Sequence, residues 1–245
     1  MSELKPGLPE RLEAVRAALR AEEARAGRPA GDVRLIAVGK TFPVSACELA
    51  YQCGQRDFGE NYVQEGVEKV EAFRASHPQD PGVWHFIGPI QSNKTRAVAE
   101  HFDWVHSVDR LKIAARLAAQ RPAGMPPLNV LIEVNIDGEP TKSGVTPSEA
   151  EALAAEIVLM PGLRLRGLMA IPAPASSSEE RREPLHAMKR LFDRLRMRFP
   201  TMDTLSMGMS ADMTEAVDEG ATMVRIGSAV FGPRDYSHAC RAEAG

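Results

Sequence analysis

The chain has 245 residues, 44% hydrophobic and 26% charged, with 30 Lys and Arg against 33 Asp and Glu. The net charge of -3 supplies no basic excess to meet nucleic acid, and no apolar run is long enough to span a bilayer. Three cysteines (Cys47, Cys53 and Cys240) without a Cys-x-x-Cys pair argue against a disulfide framework or a zinc site, and the histidines show no metal-binding spacing. The N-terminal stretch is charged throughout and lacks the apolar segment of a signal peptide, so the expected compartment is the cytoplasm.

Taken in chain order, strand-like and helical patterns alternate. Residues 8–26 read as a helix ahead of the first strand, VRLIAVGK (33–40). Ser45-x-x-Glu48 then has the spacing of a capping box, in which hydroxyl and carboxylate satisfy free N–H groups of the first turn, and Gly54 reads as a helix stop. Strands follow at 56–60, 83–88 and 104–108, and after the loop 120–127 a fifth lies at 128–136. Thr146-Pro147-Ser148-Glu149 is a second box, and Gly162 a second stop before a strand at 163–171. After the loop 172–180, Ser177-x-x-Glu180 opens a helix whose Leu185, Met188, Phe192, Leu195 and Phe199 form one buried stripe. Strands at 204–208 and 223–232 complete the series, with Gly220 as a stop between them. Several runs are apolar on both faces, as parallel strands covered by helices should be. About eight strands alternating with helices predict an α/β fold, a single (β/α)8 TIM barrel over 33–232, with an extra N-terminal helix and a C-terminal tail at 233–245. A doubly wound open sheet uses the same alternation, but the strand count and even spacing favour the barrel.

In a barrel the chemistry sits at the C-terminal ends of the strands. Lys40 ends the first strand, Asn61 follows the second, and Lys142 lies after the fifth. Ser206 is near the end of the seventh, and Arg225, Gly227 and Ser228 are at the eighth. Two readings of Lys40 are open. It is an ordinary strand-end lysine that is paired or reaches water, or it is an amine made nucleophilic by a partly apolar mouth, able to attack an aldehyde. LSMGMSADM (205–213) and VRIGSAVFG (224–232) offer glycines and helix starts where barrels of this kind hold phosphate; the alternative is small-residue packing at the turns. Arg225 sits inside an apolar strand, so it meets either an internal carboxylate or a heterocyclic nitrogen, which a donor-only guanidinium would hold unprotonated. His85 and His106 read as core histidines, and QSNKTR (91–96) as a polar helix start.

With these residues in hand, the chain resembles the pyridoxal phosphate homeostasis proteins. The matching motifs are LIAVGKTFP, FGENYVQE, WHFIGPIQSNK, HSVDR, IEVNIDGEPTKSGV, GLMAIP, LSMGMSADM and VRIGSAVFGPR, from about residue 8 to Arg234. The resemblance implies a barrel like the N-terminal domain of alanine racemase, of PLP fold-type III, that carries pyridoxal 5'-phosphate (PLP) as a Schiff base on Lys40. It further implies that Ser206, Gly227 and Ser228 hold the phosphate, that Arg225 faces the pyridine nitrogen, that Asn61 lies beside the cofactor, and that Lys142 is an auxiliary contact. Two positions depart from the family: Gly39 stands where Ser often precedes the lysine, and Phe42 where some members have a second lysine.

A PLP racemase needs two acid–base groups on opposite faces of the substrate carbon. Lys40 supplies one. Racemases of this fold take the other from a tyrosine of a second domain, and neither Tyr51, Tyr62 nor Tyr236 lies in such a motif. The expected function is therefore intracellular PLP homeostasis by a non-catalytic carrier. It would buffer the cofactor or deliver it to apo PLP-dependent enzymes, with no nucleic-acid or membrane partner, as a monomer or weak dimer. A PLP-dependent amino-acid racemase is the alternative, and a lysine Schiff-base aldolase without PLP a third reading.

Overall fold

The computed structural model describes residues 7–233. Nearly all of the expected tail 233–245, with Tyr236 and Cys240, lies outside the described residues. Eight strands form a closed barrel in chain order: β1 (Arg34–Val38), β2 (Asp57–Glu60), β3 (Val83–Phe86), β4 (Trp104–Val108), β5 (Leu128–Glu133), β6 (Leu163–Met169), β7 (Thr204–Ser206) and β8 (Met223–Ile226). Every neighbouring pair is parallel, and β8 closes on β1 with Arg34 opposite Met223 and Ala37 opposite Ile226. The open-sheet alternative is thereby excluded.

Helices follow the strands and cover them: α2 (Val44–Gln52), α3 (Val63–Ser76), α4 (Thr95–His101), α5 (Leu111–Gln120), α6 (Ala150–Ile157), α7 (Ser178–Arg198), α8 (Met213–Asp218) and α9 (Ser228–Phe231). The extra helix α1 (Leu8–Arg25) precedes them, and its Arg11 donates to the carbonyls of Val230 and Phe231, at 3.0 and 2.9 Å, at the end of α9. No helix among the described residues is long and apolar enough to cross a membrane.

Strand residues alternate between two cores, as the period of two requires. Leu35, Ala37, Val105, Val130, Ile132, Val224 and Ile226 face the helices, whereas Ile36, Trp104, Leu131, Met169 and Met223 form a separate cluster inside the barrel. This apolar plug fixes what comes next. Residues two positions further along the same strands point the same way, which places His106, Glu133 and Arg225 inside the barrel, beyond the plug.

The local expectations fare unevenly. At Ser177 the capping box forms in both directions, and four of the five stripe residues lie on the buried face of α7, with Phe199 at its C-cap. At Ser45 it does not: α2 starts two residues earlier than that box requires, at Val44, with Pro43 as its N-cap and no side-chain cap. At Thr146 only half of it forms. The Glu149 carboxylate accepts the Thr146 N–H at 2.9 Å, but the Thr146 hydroxyl turns to the same carboxylate instead of capping. Gly54 and Gly220 do end helices with positive φ, whereas Gly162 sits beyond a turn, where a Cβ would come within 2.6 Å of the Ala118 carbonyl oxygen. The run 223–232 is strand only to Ile226; its SAVF segment is α9.

Candidate functional site

Lys40 lies two residues past the end of β1, in a half-buried turn. The turn is held from below by a buried ionic cluster. Lys69 of α3, 1% exposed, donates to the Gly39 carbonyl at 2.8 Å, to Glu60 Oε1 at 2.8 Å and to Glu65 Oε1 at 2.6 Å. Glu65 Oε1 also accepts the Thr41 N–H at 2.7 Å. Thr41 is the one non-glycine residue with positive φ (68°) among the described residues, so a strained backbone follows Lys40 directly and a carboxylate fixes it there.

Burial pushes the Glu60 carboxyl up to about 7 against the pull of the Lys69 ammonium and, less strongly, of Lys40. Burial is the largest influence on Lys69 and works against its charge, but Glu60, Cys47 and Glu65 together outweigh it and the net direction is up. Cys47 packs beside this cluster, and burial pushes its thiol up to about 12, so it stays an uncharged filler. Gly39 is required by this packing. A Cβ at that position would stand 2.9 Å from both Cys47 Sγ and Glu60 Oε1. Phe42, the second departure from the family pattern, stacks on Phe231 with ring centroids 5.2 Å apart, which ties the Lys40 turn to α9.

Across the mouth, Arg225 is buried and donates from one terminal nitrogen to Ser206 Oγ at 2.7 Å and from the other to the Ala170 carbonyl at 2.9 Å. Two of its five N–H donors are spent in these bonds. Burial lowers the guanidinium to about 10, opposed by Asp212 and Glu133, so it remains charged. Glu133 ends β5; burial, with help from Asp109, pushes it up to about 7 against the pull of Arg225.

Ser206 is fully buried, and its hydroxyl is engaged by Arg225 and, at 2.9 Å, by Nδ1 of His106. Ser206 is the last residue of β7, whereas Gly227 and Ser228 follow the end of β8. His106 Nε2 lies 3.0 Å from His85 Nδ1, and His85 Nε2 lies 3.0 Å from Asp57 Oδ1. Burial, with His85 and Arg225 nearby, pushes His106 well below the usual histidine value.

Gly227 is the N-cap of α9 and Ser228 its first residue, so the first N–H groups of that turn have no intrahelical acceptor. Asn61 follows β2, and its Oδ1 is buried without a hydrogen-bond partner. Lys142 lies on the loop after β5, bonded to Asp137 at 3.0 Å and to the Ile171 carbonyl at 3.2 Å, where it bridges the loops after β5 and β6. Among the described residues no cluster of His, Cys, Asp and Glu could hold a metal, and Cys47 and Cys53 are free thiols.

The residues present suit a small anionic heterocycle bearing an aldehyde. An orphaned buried oxygen at Asn61, a buried donor-only guanidinium, a lysine turn and an uncapped helix start lie at the C-terminal ends of the strands. Sequence reasoning missed the Glu60, Glu65 and Lys69 cluster and Glu133. The signal for Glu60 and Glu133 was legible, since each is a carboxylate at the C-terminal end of a strand, where a barrel has its mouth. Glu65 and Lys69 stand four residues apart on a helix, a spacing also found in solvated pairs, and only the packing of α3 buries Lys69.

Residues 11–235 match the family described as "Alanine racemase, N-terminal domain". The chain is 55% identical over 226 residues to a protein named "Pyridoxal phosphate homeostasis protein" from Vibrio alginolyticus, covering 92% of this chain and 97% of that one. Among solved structures it is similar to PipY of Synechococcus elongatus with PLP bound, at 34% identity and a TM-score of 0.79, over 92% of this chain and 100% of PipY. Alanine racemase from Corynebacterium glutamicum shares the fold at 17% identity and a TM-score of 0.65, over 93% of this chain and 63% of that one.

Proposed function

The chain belongs to the pyridoxal phosphate homeostasis proteins, within the alanine racemase N-terminal domain family, and from that premise we propose that it holds PLP as a reversible Schiff base on Lys40 and buffers or delivers it inside the cell. The observation that carries this reading is the convergence of the Lys40 turn, the Arg225 guanidinium and the orphaned Asn61 oxygen at one barrel mouth. PLP supplies an aldehyde, which condenses with a lysine amine with loss of water, and a phosphate dianion.

Each residue then has a task. Lys40 offers the amine, on a turn whose backbone Lys69 and Glu65 hold in place. Arg225 aims N–H groups at the pyridine nitrogen and, being donor-only, leaves it unprotonated; this weakens the ring as an electron sink and suits holding over turnover. The first N–H groups of α9 at Gly227 and Ser228 meet the phosphate. Ser206, bonded to the guanidinium, serves by fixing Arg225. Asn61 lies beside the ring, and Lys142 is an auxiliary contact from the loop after β5. Recipients would be apo PLP-dependent enzymes. A closed barrel has no open sheet edge, which suits a monomer or weak dimer.

A racemase reading has one observation in its favour. Tyr62 follows Asn61 and is 46% exposed, whereas the Tyr51 hydroxyl is committed to the Asp80 carbonyl at 2.8 Å. The deciding measurement is the visible spectrum of wild type and Lys40→Ala, before and after borohydride. A yellow wild type whose chromophore becomes fixed to the Lys40 peptide on reduction supports the proposal. Transfer of PLP to an apo-enzyme without racemisation then separates carrier from racemase. A colourless protein that takes up no added PLP refutes the cofactor role and leaves the aldolase reading.

A further inference from the structure

We propose that Asp57, His85, His106 and Ser206 form a one-directional hydrogen-bond chain through the barrel interior, and that it positions the Arg225 guanidinium from the face opposite the mouth. The inference rests on the proposed PLP site only for what Arg225 is positioned to do.

The path crosses the whole barrel. Arg225 and Ser206 stand at the C-terminal ends of β8 and β7, while Asp57 is the first residue of β2. The four links are 2.7, 2.9, 3.0 and 3.0 Å long. Ser206, His106 and His85 are at most 0% exposed, so bulk water does not compete for these bonds. At its far end Asp57 also accepts from Arg34 at 3.3 Å, whose side chain is 47% exposed.

With both rings neutral, the two ends dictate the direction. An ionised carboxylate only accepts, so His85 must present Nε2–H to Asp57. A neutral His85 then has a bare Nδ1, which can only accept, and His106 must present its own Nε2–H to it. His106 Nδ1 is therefore bare and accepts the Ser206 hydroxyl proton. Ser206 Oγ, having given its proton away, is left as an acceptor, and a guanidinium can only donate. All four bonds point from Arg225 towards Asp57. With His85 neutral, the reverse polarity would set a bare His85 Nε2 against the Asp57 carboxylate, which is repulsive. Burial beside His85 and Arg225 disfavours a charged His106, in keeping with a neutral ring.

The consequence concerns Arg225. Its two bonds go to acceptors on different strands, Ser206 of β7 and the Ala170 carbonyl just past β6. The carbonyl cannot change its character. The hydroxyl can, because a serine is free to turn its proton towards a guanidinium or away from it. The chain removes that freedom, so the negative charge of Asp57 at the base of the barrel keeps a lone pair facing Arg225 near the mouth. A bond to a charged group is worth about 1.5–3 kcal/mol, so losing it should weaken whatever Arg225 holds by roughly tenfold or more.

Two measurements test this on the whole protein. The first uses the protein without cofactor, labelled with 15N in its histidines and assigned with His85→Gln and His106→Asn. At pH 7.5 both rings should be single Nε2–H tautomers. In Asp57→Asn, whose amide can donate as well as accept, both should become tautomer mixtures, although His106 does not touch residue 57. An Nδ1–H ring in the wild type, or tautomers unchanged in Asp57→Asn, overturns the chain. The second compares PLP with pyridoxal, which lacks the phosphate. Ser206→Ala should weaken both by the same factor of about ten and shift the visible band, with Ser206→Thr restoring them. A loss confined to PLP would make Ser206 a phosphate ligand and overturn the positioning role. Wild type that binds neither compound refutes the PLP site, while the tautomers decide the chain independently.

Discussion

Lys69→Met removes the cation from the cluster beneath Lys40 and keeps the length of the apolar stem. In the native protein Lys69 is 1% exposed and Glu60 0%, and the ammonium satisfies Glu60, Glu65 and the Gly39 carbonyl together. Methionine donates to none of them. Glu60 is then a buried carboxyl without its counter-ion, and the Gly39 carbonyl loses its side-chain donor. Removing one partner of a buried ion pair costs about 3–5 kcal/mol. At about 2–4 °C per kcal/mol for a chain of this size, the melting temperature should fall by about 6–20 °C. Against a typical total of about 5–15 kcal/mol this is a large share of the stability. The assay is urea and thermal unfolding at pH 8.5, above the value of about 7 for Glu60, of wild type, Lys69→Met, Glu60→Gln and the double variant without cofactor. The double variant leaves no uncompensated charge at position 60 and should recover at least half of the loss. A Lys69→Met loss below about 1 kcal/mol, or a double variant no better than the single one, would refute the claim that an ion pair organises this turn. The same variant loosens Glu65 from Thr41, so it should also weaken PLP uptake.

Other outcomes follow from the same geometry. Gly39→Ser, which restores the residue common in the family, should destabilise by about 1–3 kcal/mol, because its Cβ would stand 2.9 Å from Cys47 Sγ; adding Cys47→Ala should relieve much of that in a thermal melt. Glu133 has its folded value raised from 4.5 to about 7, so the folded protein binds the extra proton and this contribution is lost as pH rises through about 7. The melting temperature of Glu133→Gln relative to wild type should therefore climb between about pH 4.5 and pH 7 and level off above; a flat difference across that range would contradict the burial of that carboxylate. Ser177→Ala should cost about 1 kcal/mol in chemical unfolding through loss of a two-way capping box, while Ser45→Ala should stay within about 0.5 kcal/mol, since Ser45 caps nothing.

The order of the elements and their type were legible from the chain alone. An alternation of apolar runs with periods of two and of about 3.6 is a property of local sequence, and parallel strands buried on both faces announce themselves by composition. The residues at the strand ends were legible for the same reason: Lys40, Asn61, Arg225, Gly227 and Ser228 stand where a barrel must put its mouth. What each side chain meets was not, because every decisive contact joins positions far apart in sequence. The motif around Ser206 suggests a phosphate contact and says nothing of its partners within the protein, His106, 100 residues away, and Arg225. The i,i+4 spacing of Glu65 and Lys69 does not tell a solvated helix pair from a buried one; the contact of Lys69 with the Gly39 carbonyl past the end of β1 is what takes its ammonium out of water. His85 and His106 read singly as core histidines; only their approach to 3.0 Å, between an aspartate and an arginine, gives the pair a direction. Sequence periodicity sets which face of a strand a residue occupies, but closing eight strands into a ring decides which inward-facing groups share one dry interior, and there an unpaired donor or charge costs too much to leave unmatched.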